Sequence, residues 1–249
     1  MEATMYLYAF QQKNTKTSSQ KNENSQESKT KLLDEILTAV DSSNLLWQPK
    51  FKATMGGEQT DNQLFLQESK PILTLKEILK REITSYFDFY QGYEQLIIKN
   101  KPIDINLQGW FVRLKAGGFQ EPHIHSSGWL SGVVYLKTID DDKTDQGAIE
   151  FGMANFDFLP KGLQQKTMLH KPKAGEILIF PSSLFHRTIP VTSNKERCII
   201  SFDLFPCPAV TSHKREFEED ENKLKTLYEI GEFEKLLLNG SNLKEKYPD

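Results

Sequence analysis

The stretch Arg197-Cys-Ile-Ile-Ser-Phe-Asp-Leu-Phe205 carries the two-residue alternation that decides how this chain folds. Successive side chains of a β-strand point to opposite faces, so Arg197, Ser201 and Asp203 share one face. The opposite face is wholly apolar and should pack against helices; it consists of Cys198, Ile200, Phe202 and Leu204. The polar face then predicts a strand-enclosed cavity that contains a cation and a hydroxyl.

Strands of similar character surround this stretch. Five short segments rich in β-branched and aromatic residues are separated by turn residues, at 107–114, 133–138, 147–151, 177–180 and 197–205. This spacing predicts an antiparallel barrel or sandwich. The apolar residues 5–10 predict one further edge strand.

Helical patterns flank the strands and set the predicted organisation. Leu32 to Val40 has helical spacing, and Thr74-Leu-Lys-Glu77 reads as a capping box that starts a second helix. Two adjacent glycines within 53–60 predict a turn or mobile loop. Residues 11–30 contain no apolar side chain, which predicts a flexible linker. The fold class is therefore mainly β with flanking helices, divided into an N-terminal segment and linker (1–30), a helical flank (31–102), the β core (103–208) and C-terminal helices (209–249).

Composition excludes several classes of function. The net charge is -3, and no basic stripe with interleaved aromatic residues is present, so we expect no nucleic-acid partner. No apolar run is long enough for a membrane helix, and the first ten residues do not resemble a signal peptide. Two cysteines make no disulfide framework, which predicts a cytoplasmic location. The sequence does not indicate an oligomeric state.

Three histidines stand at spacings typical of a mononuclear metal site. His123 and His125 are two residues apart, so in an extended chain they point the same way with Cα atoms roughly 6–7 Å apart. Two such imidazoles can converge on one ion at about 2.1 Å each. His186 follows at the end of a Gly-x5-Pro-x4-His pattern that begins at Gly175. We interpret His170 and His213 as structural or surface residues.

Arg197 lies eleven residues after His186, on the polar face of its strand. A guanidinium there suits bidentate binding of a carboxylate. An exposed arginine paired with a surface acid is the alternative interpretation. The alternation of the strand favours an anion site inside the barrel.

Four segments carry a resemblance to a known family. Ser131-Gly-Val-Val-Tyr-Leu136, Gly147-Ala-Ile-Glu-Phe151, Gly175 to Arg187 and Arg197 to Phe202 resemble the iron(II)- and 2-oxoglutarate-dependent oxygenases, especially the prolyl-hydroxylase-like branch and its His-x-His members. The resemblance covers about residues 103–206. It implies a double-stranded β-helix, or jelly roll, flanked by helices.

The resemblance also implies roles for individual residues. His123, His125 and His186 would hold Fe(II), and Arg197, Ser201 and Tyr135 would bind the far carboxylate of 2-oxoglutarate. With O2 as oxidant, the co-substrate would be decarboxylated to succinate while a C–H bond of a small molecule or peptide is oxidised, usually by hydroxylation. We expect three segments to border the substrate pocket: 53–60, 126–130 and 152–172.

One residue departs from the family pattern. Most members have His-x-Asp or His-x-Glu, and here His125 stands at the carboxylate position. Three neutral imidazoles leave one more positive charge, which a dianionic co-substrate could balance. Alternatively, a carboxylate could replace one histidine in the shell; the candidates are Glu121, Glu150 and Asp203.

Two other functions fit parts of the pattern. Gly117-x5-His-x-His and the Gly175 motif also match the two cupin motifs, which would indicate a metal enzyme that does not use 2-oxoglutarate. However, the glutamate that cupins place shortly after the histidine pair is absent, and a cupin has no need of Arg197. A jelly-roll binding module with merely buried histidines is the third interpretation.

Overall fold

The computed structural model describes residues 8–10, 19–41, 44–152 and 167–207 of the chain. The strands are β1 (Tyr8–Phe10), β2 (Leu46–Trp47), β3 (Thr54–Gln59), β4 (Ile105–His123), β5 (Leu130–Lys137), β6 (Ile149–Phe151), β7 (Met168–His170), β8 (Ile177–Pro181), β9 (His186–Thr188) and β10 (Arg197–Pro206). The helices are α1 (Ser19–Asp41), α2 (Lys70–Phe89) and α3 (Leu96–Lys99), with a 3-10 turn at Leu64–Leu66. The predicted C-terminal helices, His213 and most of the predicted pocket border 152–172 lie outside the described residues.

The long strand β4 joins two halves of one curled antiparallel sheet. The strand order is β1-β8-β5-β10-β4-β9-β6-β7, with β3 on the other edge of β4 and β2 beyond it. The first part of β4 pairs with β10, from Ile105 opposite Pro206 to Leu114 opposite Arg197. Its last residue, His123, lies opposite His186 of β9. One strand therefore connects the main sheet to the edge that carries two of the histidines.

The two faces of β10 separate two hydrophobic clusters, as the alternation predicted. The apolar face packs with α1 and α2 in a cluster that contains Ile36, Leu79 and Phe202. The other face borders a cluster inside the curled sheet that includes Tyr135 and Ile199. Each large side chain buried in this way contributes about 1.5–3 kcal/mol, so the outer face holds the helices firmly against the sheet.

Both helix starts differ from the predictions. The expectation of a flexible linker is wrong for residues 19–30, because α1 already begins at Ser19. Lys, Glu and Gln are good helix formers, so a helix anchored by buried Ile36 and Val40 extends through the polar residues before it. The capping box at Thr74 is also not used. Helix α2 begins one turn earlier, after Ser69, with a proline in its first turn.

The double-glycine segment is a strand and not a mobile loop. Residues Thr54–Gln59 form β3 and pair with β4 across a register shift between Met55 and Gly57. Gly56 takes the left-handed conformation at φ 60°, and a Cβ on Gly57 would lie 2.6 Å from the carbonyl oxygen of Arg113. The glycines thus permit a bulge that packs directly on β4.

The predicted edge strand is confirmed at Tyr8–Phe10, which pairs with β8. Cys198 and Cys207 are free thiols. In the part of the chain that is described, no helix has the length and apolar character needed to span a bilayer.

Gly109 of β4 provides a test of this packing. A Cβ at Gly109 would lie 2.4 Å from the ring of Phe65, which is buried on the strand. We expect Gly109→Ala to lower the free energy of unfolding by about 1–3 kcal/mol, because the ring must move. In a double-mutant cycle, Phe65→Leu should cost less in the Gly109→Ala background than in the wild type. Strictly additive effects in chemical denaturation would contradict this account.

Candidate metal centre

Three histidines from two paired strands and the adjoining loop converge at one end of the sheet. His123 ends β4 and His186 begins β9, so their pairing places both side chains together. His125 lies two residues beyond, where its backbone N–H donates to the carbonyl oxygen of Ser182 at 2.9 Å. One candidate ligand atom from each ring lies within 4.8 Å of the other two. Two ligands at about 2.1 Å from one ion are at most about 4.2 Å apart, so small ring movements suffice.

The Nδ1 atom of every ring is already hydrogen-bonded. His123 Nδ1 lies 2.6 Å from the carbonyl oxygen of Glu121, and His186 Nδ1 lies 2.9 Å from that of Leu184. A carbonyl only accepts, so Nδ1 carries the proton in both rings and Nε2 keeps a free lone pair. His125 Nδ1 lies 2.5 Å from a carboxylate oxygen of Asp203. All three rings can therefore offer Nε2 to a single ion.

Burial keeps two of the imidazoles in the form that binds metal. Desolvation lowers the pKa of His123 to about 4, partly opposed by its bond to the Glu121 carbonyl. Desolvation, together with repulsion from His123 and His125, lowers the pKa of His186 well below its ordinary value. Both rings are consequently neutral near pH 7, as a metal ligand must be.

Each of the three carboxylates considered as alternative metal ligands either contacts another residue or is exposed. Glu150 pairs with Arg187 at 2.7 Å, and Glu121 contributes its backbone carbonyl to His123 while its residue is exposed. Asp203 contacts His125 on the Nδ1 side of the ring. Among the described residues, the metal-competent cluster consists of the three histidines alone.

Arg197 is completely buried and its terminal nitrogens lack partners. Its Nε donates to the carbonyl oxygen of Gly147 at 2.9 Å. Within the described residues, neither Nη1 nor Nη2 has a hydrogen-bond partner, and the same holds for the hydroxyl of Tyr135. The guanidinium carbon lies 5.2 Å from the Tyr135 ring. Burial raises the pKa of Tyr135 to about 12, so its phenol stays neutral and can donate.

Arg197 and His186 both border one buried cluster inside the curled sheet. The ring of His186 lies 4.8 Å from that of Phe180 and 6.1 Å from that of Phe151. Both phenylalanines belong to the same buried cluster as Tyr135. Ser201 is buried on the Arg197 face of β10, opposite Trp110 and Val133. The predicted residues therefore all lie on one side of the sheet.

An open cavity of about 380 Å³ leads to the histidines from outside. His123, His125 and Asp203 line it together with Phe51, Lys52 and the predicted border residues Ser126 and Ser127. Arg197, Tyr135 and Ser201 are not among its lining residues. The cavity thus gives access to two of the three histidines, and the fully buried Arg197 does not line it.

The sequence indicated Asp203 only as a possible metal ligand and did not predict a polar group behind His125. Ser131, Ser182 and Asp203 form a hydrogen-bonded group there. Asp203 carried a signal, because it shares a strand face with Arg197 and Ser201. The two serines carried none, since their proximity depends on strand register between segments 51 residues apart.

The lowered histidine pKa values make the stability of the metal-free protein depend on pH. The folded protein binds fewer protons than the unfolded chain between pH 6.5 and about 4, so its free energy of unfolding falls as the pH drops through that range. For His123 the loss is at most about 3 kcal/mol. We expect His123→Gln to lack this contribution, so wild type should lose more thermal stability than the variant between pH 7 and 4.5. A pH-independent difference in melting temperature would contradict the assignment.

Several solved structures share this fold. A prolyl-4-hydroxylase from Pseudomonas putida has 14% sequence identity and a TM-score of 0.56, covering 82% of this chain and 95% of that chain. A prolyl hydroxylase from Trichoplax adhaerens, in complex with a hypoxia inducible factor peptide fragment, has 15% identity and a TM-score of 0.53, with 82% and 84% covered. HygX from Streptomyces hygroscopicus, with nickel and 2-oxoglutarate bound, has 12% identity and a TM-score of 0.52, with 82% and 84% covered. The predicted double-stranded β-helix is confirmed.

The sequence itself has one family match. Residues 108–203 match the family described as "Putative 2OG-Fe(II) oxygenase". The sequence has no match among curated proteins. The matched region runs from β4 to β10 and includes the three histidines and Arg197. Over residues 108–203 the chain is therefore similar to the iron(II)- and 2-oxoglutarate-dependent oxygenases.

Proposed function

We propose that His123, His125 and His186 hold iron(II) and that Arg197, with Tyr135 and Ser201, binds the distal carboxylate of 2-oxoglutarate. The protein is then an oxygenase of the hydroxylase type that oxidises a C–H bond of its substrate. One observation carries this proposal. The buried guanidinium of Arg197 has two terminal nitrogens with no hydrogen-bond partner among the described residues, and the nearby hydroxyl of Tyr135 also has none.

A buried cation without a partner is costly, which is why this observation points to a ligand. Removing a charge from water costs several kcal/mol unless hydrogen bonds or an opposite charge compensate. Gly147 satisfies only Nε, so the outer edge of the guanidinium remains available. A carboxylate fits that edge with two parallel hydrogen bonds, and the neutral Tyr135 hydroxyl can donate a third. A buried arginine whose terminal nitrogens lack partners favours a 2-oxoglutarate enzyme over a cupin-type metal enzyme.

The donor set fits the metal. Imidazole is a good ligand for iron and for other first-row divalent ions, and three rings on one side of an ion leave further positions open. When bound, iron(II) with 2-oxoglutarate and O2 supplies oxidative decarboxylation of the co-substrate coupled to C–H oxidation. The protein contributes orientation of the rings through three Nδ1 hydrogen bonds, which hold Nε2 free for the ion.

The surroundings of the histidines control access of water and substrate. Phe151 and Phe180 pack against His186 on the inner side and exclude water there. The outer cavity contains the hydrophobic Phe51, the cation Lys52 and the amide of Gln120. Its polar character suits a small molecule or a peptide side chain, and one protein of this fold has been solved in complex with a peptide fragment. A cytoplasmic location and the division into domains stay predictions.

Arg197→Met tests the assignment of the carboxylate site. Each lost charge-assisted bond is worth about 1.5–3 kcal/mol, so we expect 2-oxoglutarate to bind at least about 10–100-fold more weakly. The free energy of unfolding should stay within about 1 kcal/mol, because removal of an unpaired buried charge offsets loss of the bond to Gly147. Calorimetric titration of the Zn(II)-loaded protein with 2-oxoglutarate measures the first quantity, and chemical denaturation measures the second.

Arg113→Met is the matched control. Arg113 lies on β4 and pairs with Glu58 at 3.1 Å, so it should leave 2-oxoglutarate binding unchanged. Succinate release by the aerobic iron-loaded enzyme should follow the same order, lost in Arg197→Met and retained in Arg113→Met. Unchanged 2-oxoglutarate affinity in Arg197→Met would refute the carboxylate assignment.

A further inference from the structure

The histidine at the usual carboxylate position has a buried carboxylate behind it. Asp203 Oδ1 lies 2.5 Å from His125 Nδ1. The hydroxyl of Ser131 donates to the same oxygen at 2.6 Å, and its Oγ lies 2.8 Å from that of Ser182. Both serines are fully buried, and Asp203 is only 7% exposed. Three strands therefore hold this group in place: β5, β10 and the end of β8.

The three histidines differ in what they contact through Nδ1. His123 and His186 each donate to a backbone carbonyl two residues earlier in the chain, which is neutral. His125 alone contacts a carboxylate through Nδ1. Among the described residues the cluster contains no carboxylate ligand, but the Asp203 carboxylate lies one imidazole ring away from the ligand position.

We propose that Asp203 is a positioning residue that supplies, through His125, the negative charge which a ligand carboxylate supplies in most of the family. This inference rests on the proposed metal site. A carboxylate that accepts from Nδ1 fixes the ring orientation and makes Nε2 more basic, so the metal is bound more tightly. Its charge also offsets the excess positive charge of an ion bound by neutral imidazoles.

The geometry separates this role from direct ligation. Asp203 Oδ1 occupies Nδ1 of His125, so Nε2 is the ring nitrogen that remains for an ion shared with His123 and His186. Ser131 and its contact with Ser182 fix the carboxylate in that position from the neighbouring strand. The two roles of the usual carboxylate, ligand and charge, are divided here between His125 and Asp203.

Asp203→Asn separates charge from shape. The amide has the same size and can still accept a hydrogen bond from Nδ1, but it carries no charge. We expect the variant to bind Co(II) about 10–100-fold more weakly than wild type in an anaerobic titration followed by the visible Co(II) absorption. The matched control is Glu150→Gln, which removes a carboxylate that pairs with Arg187 on the strand beside His186. It should leave the Co(II) affinity within about 2-fold of wild type, since it touches no histidine.

Nitrogen NMR of the histidine rings adds a readout that does not depend on a variant. In the Zn(II)-loaded wild type, long-range proton–nitrogen spectra should show His125 metal-bound through Nε2 and protonated at Nδ1, and Asp203→Asn should shift the Nδ1 resonance. A His125 bound through Nδ1 would overturn the inference even if Asp203→Asn failed to fold.

The outcomes of the titration distinguish the two levels of the account. If wild type binds no Co(II), the proposed metal site itself fails. If wild type binds Co(II) and Asp203→Asn binds it equally well, only the role of Asp203 is refuted. An equal loss in Asp203→Asn and Glu150→Gln would also refute it, because the effect would then be one of general charge.

Discussion

The pairing of β10 with β4 on one side and β5 on the other is the constraint on which the site depends. This register sets Arg197 opposite Leu114 and Asp203 opposite Gln108 and Ser131. A slip of one residue would turn the polar face towards the helices and remove Asp203 from His125. Burial of the apolar face against α1 and α2 opposes such a slip, so the hydrophobic core also fixes the chemistry.

One face of β10 carries two buried charges of opposite sign, and only one of them is compensated by neighbouring groups among the described residues. Asp203 is compensated by His125 and Ser131, whereas the terminal nitrogens of Arg197 have no partner in the described part of the chain. The charge of Asp203 is thus compensated within the folded protein, and that of Arg197 is available to the proposed co-substrate. The unpaired charge of Arg197 lowers stability, and binding of the proposed co-substrate there would restore it by mass action.

Local sequence patterns predicted much of this arrangement. The rest depends on the register of strands that are far apart in the sequence. Alternation in β10 and the spacing of His123, His125 and His186 depend on neighbouring residues, so the sequence was sufficient for them. The strand β3 was missed because its glycines look like a turn until β4 packs against them. The contact of Asp203 with His125 joins residues 78 apart in the chain. No local pattern encodes such a contact, since it arises only when the strands have paired.

An anaerobic titration with iron(II) and 2-oxoglutarate tests the central claim most directly, because a keto acid chelated to iron(II) gives a visible charge-transfer band. We expect a band that requires both components, saturates at one iron per chain and disappears in His186→Ala. Absence of the band in folded wild-type protein, together with no succinate release above background, would contradict the claim that these histidines and Arg197 form one oxygenase site.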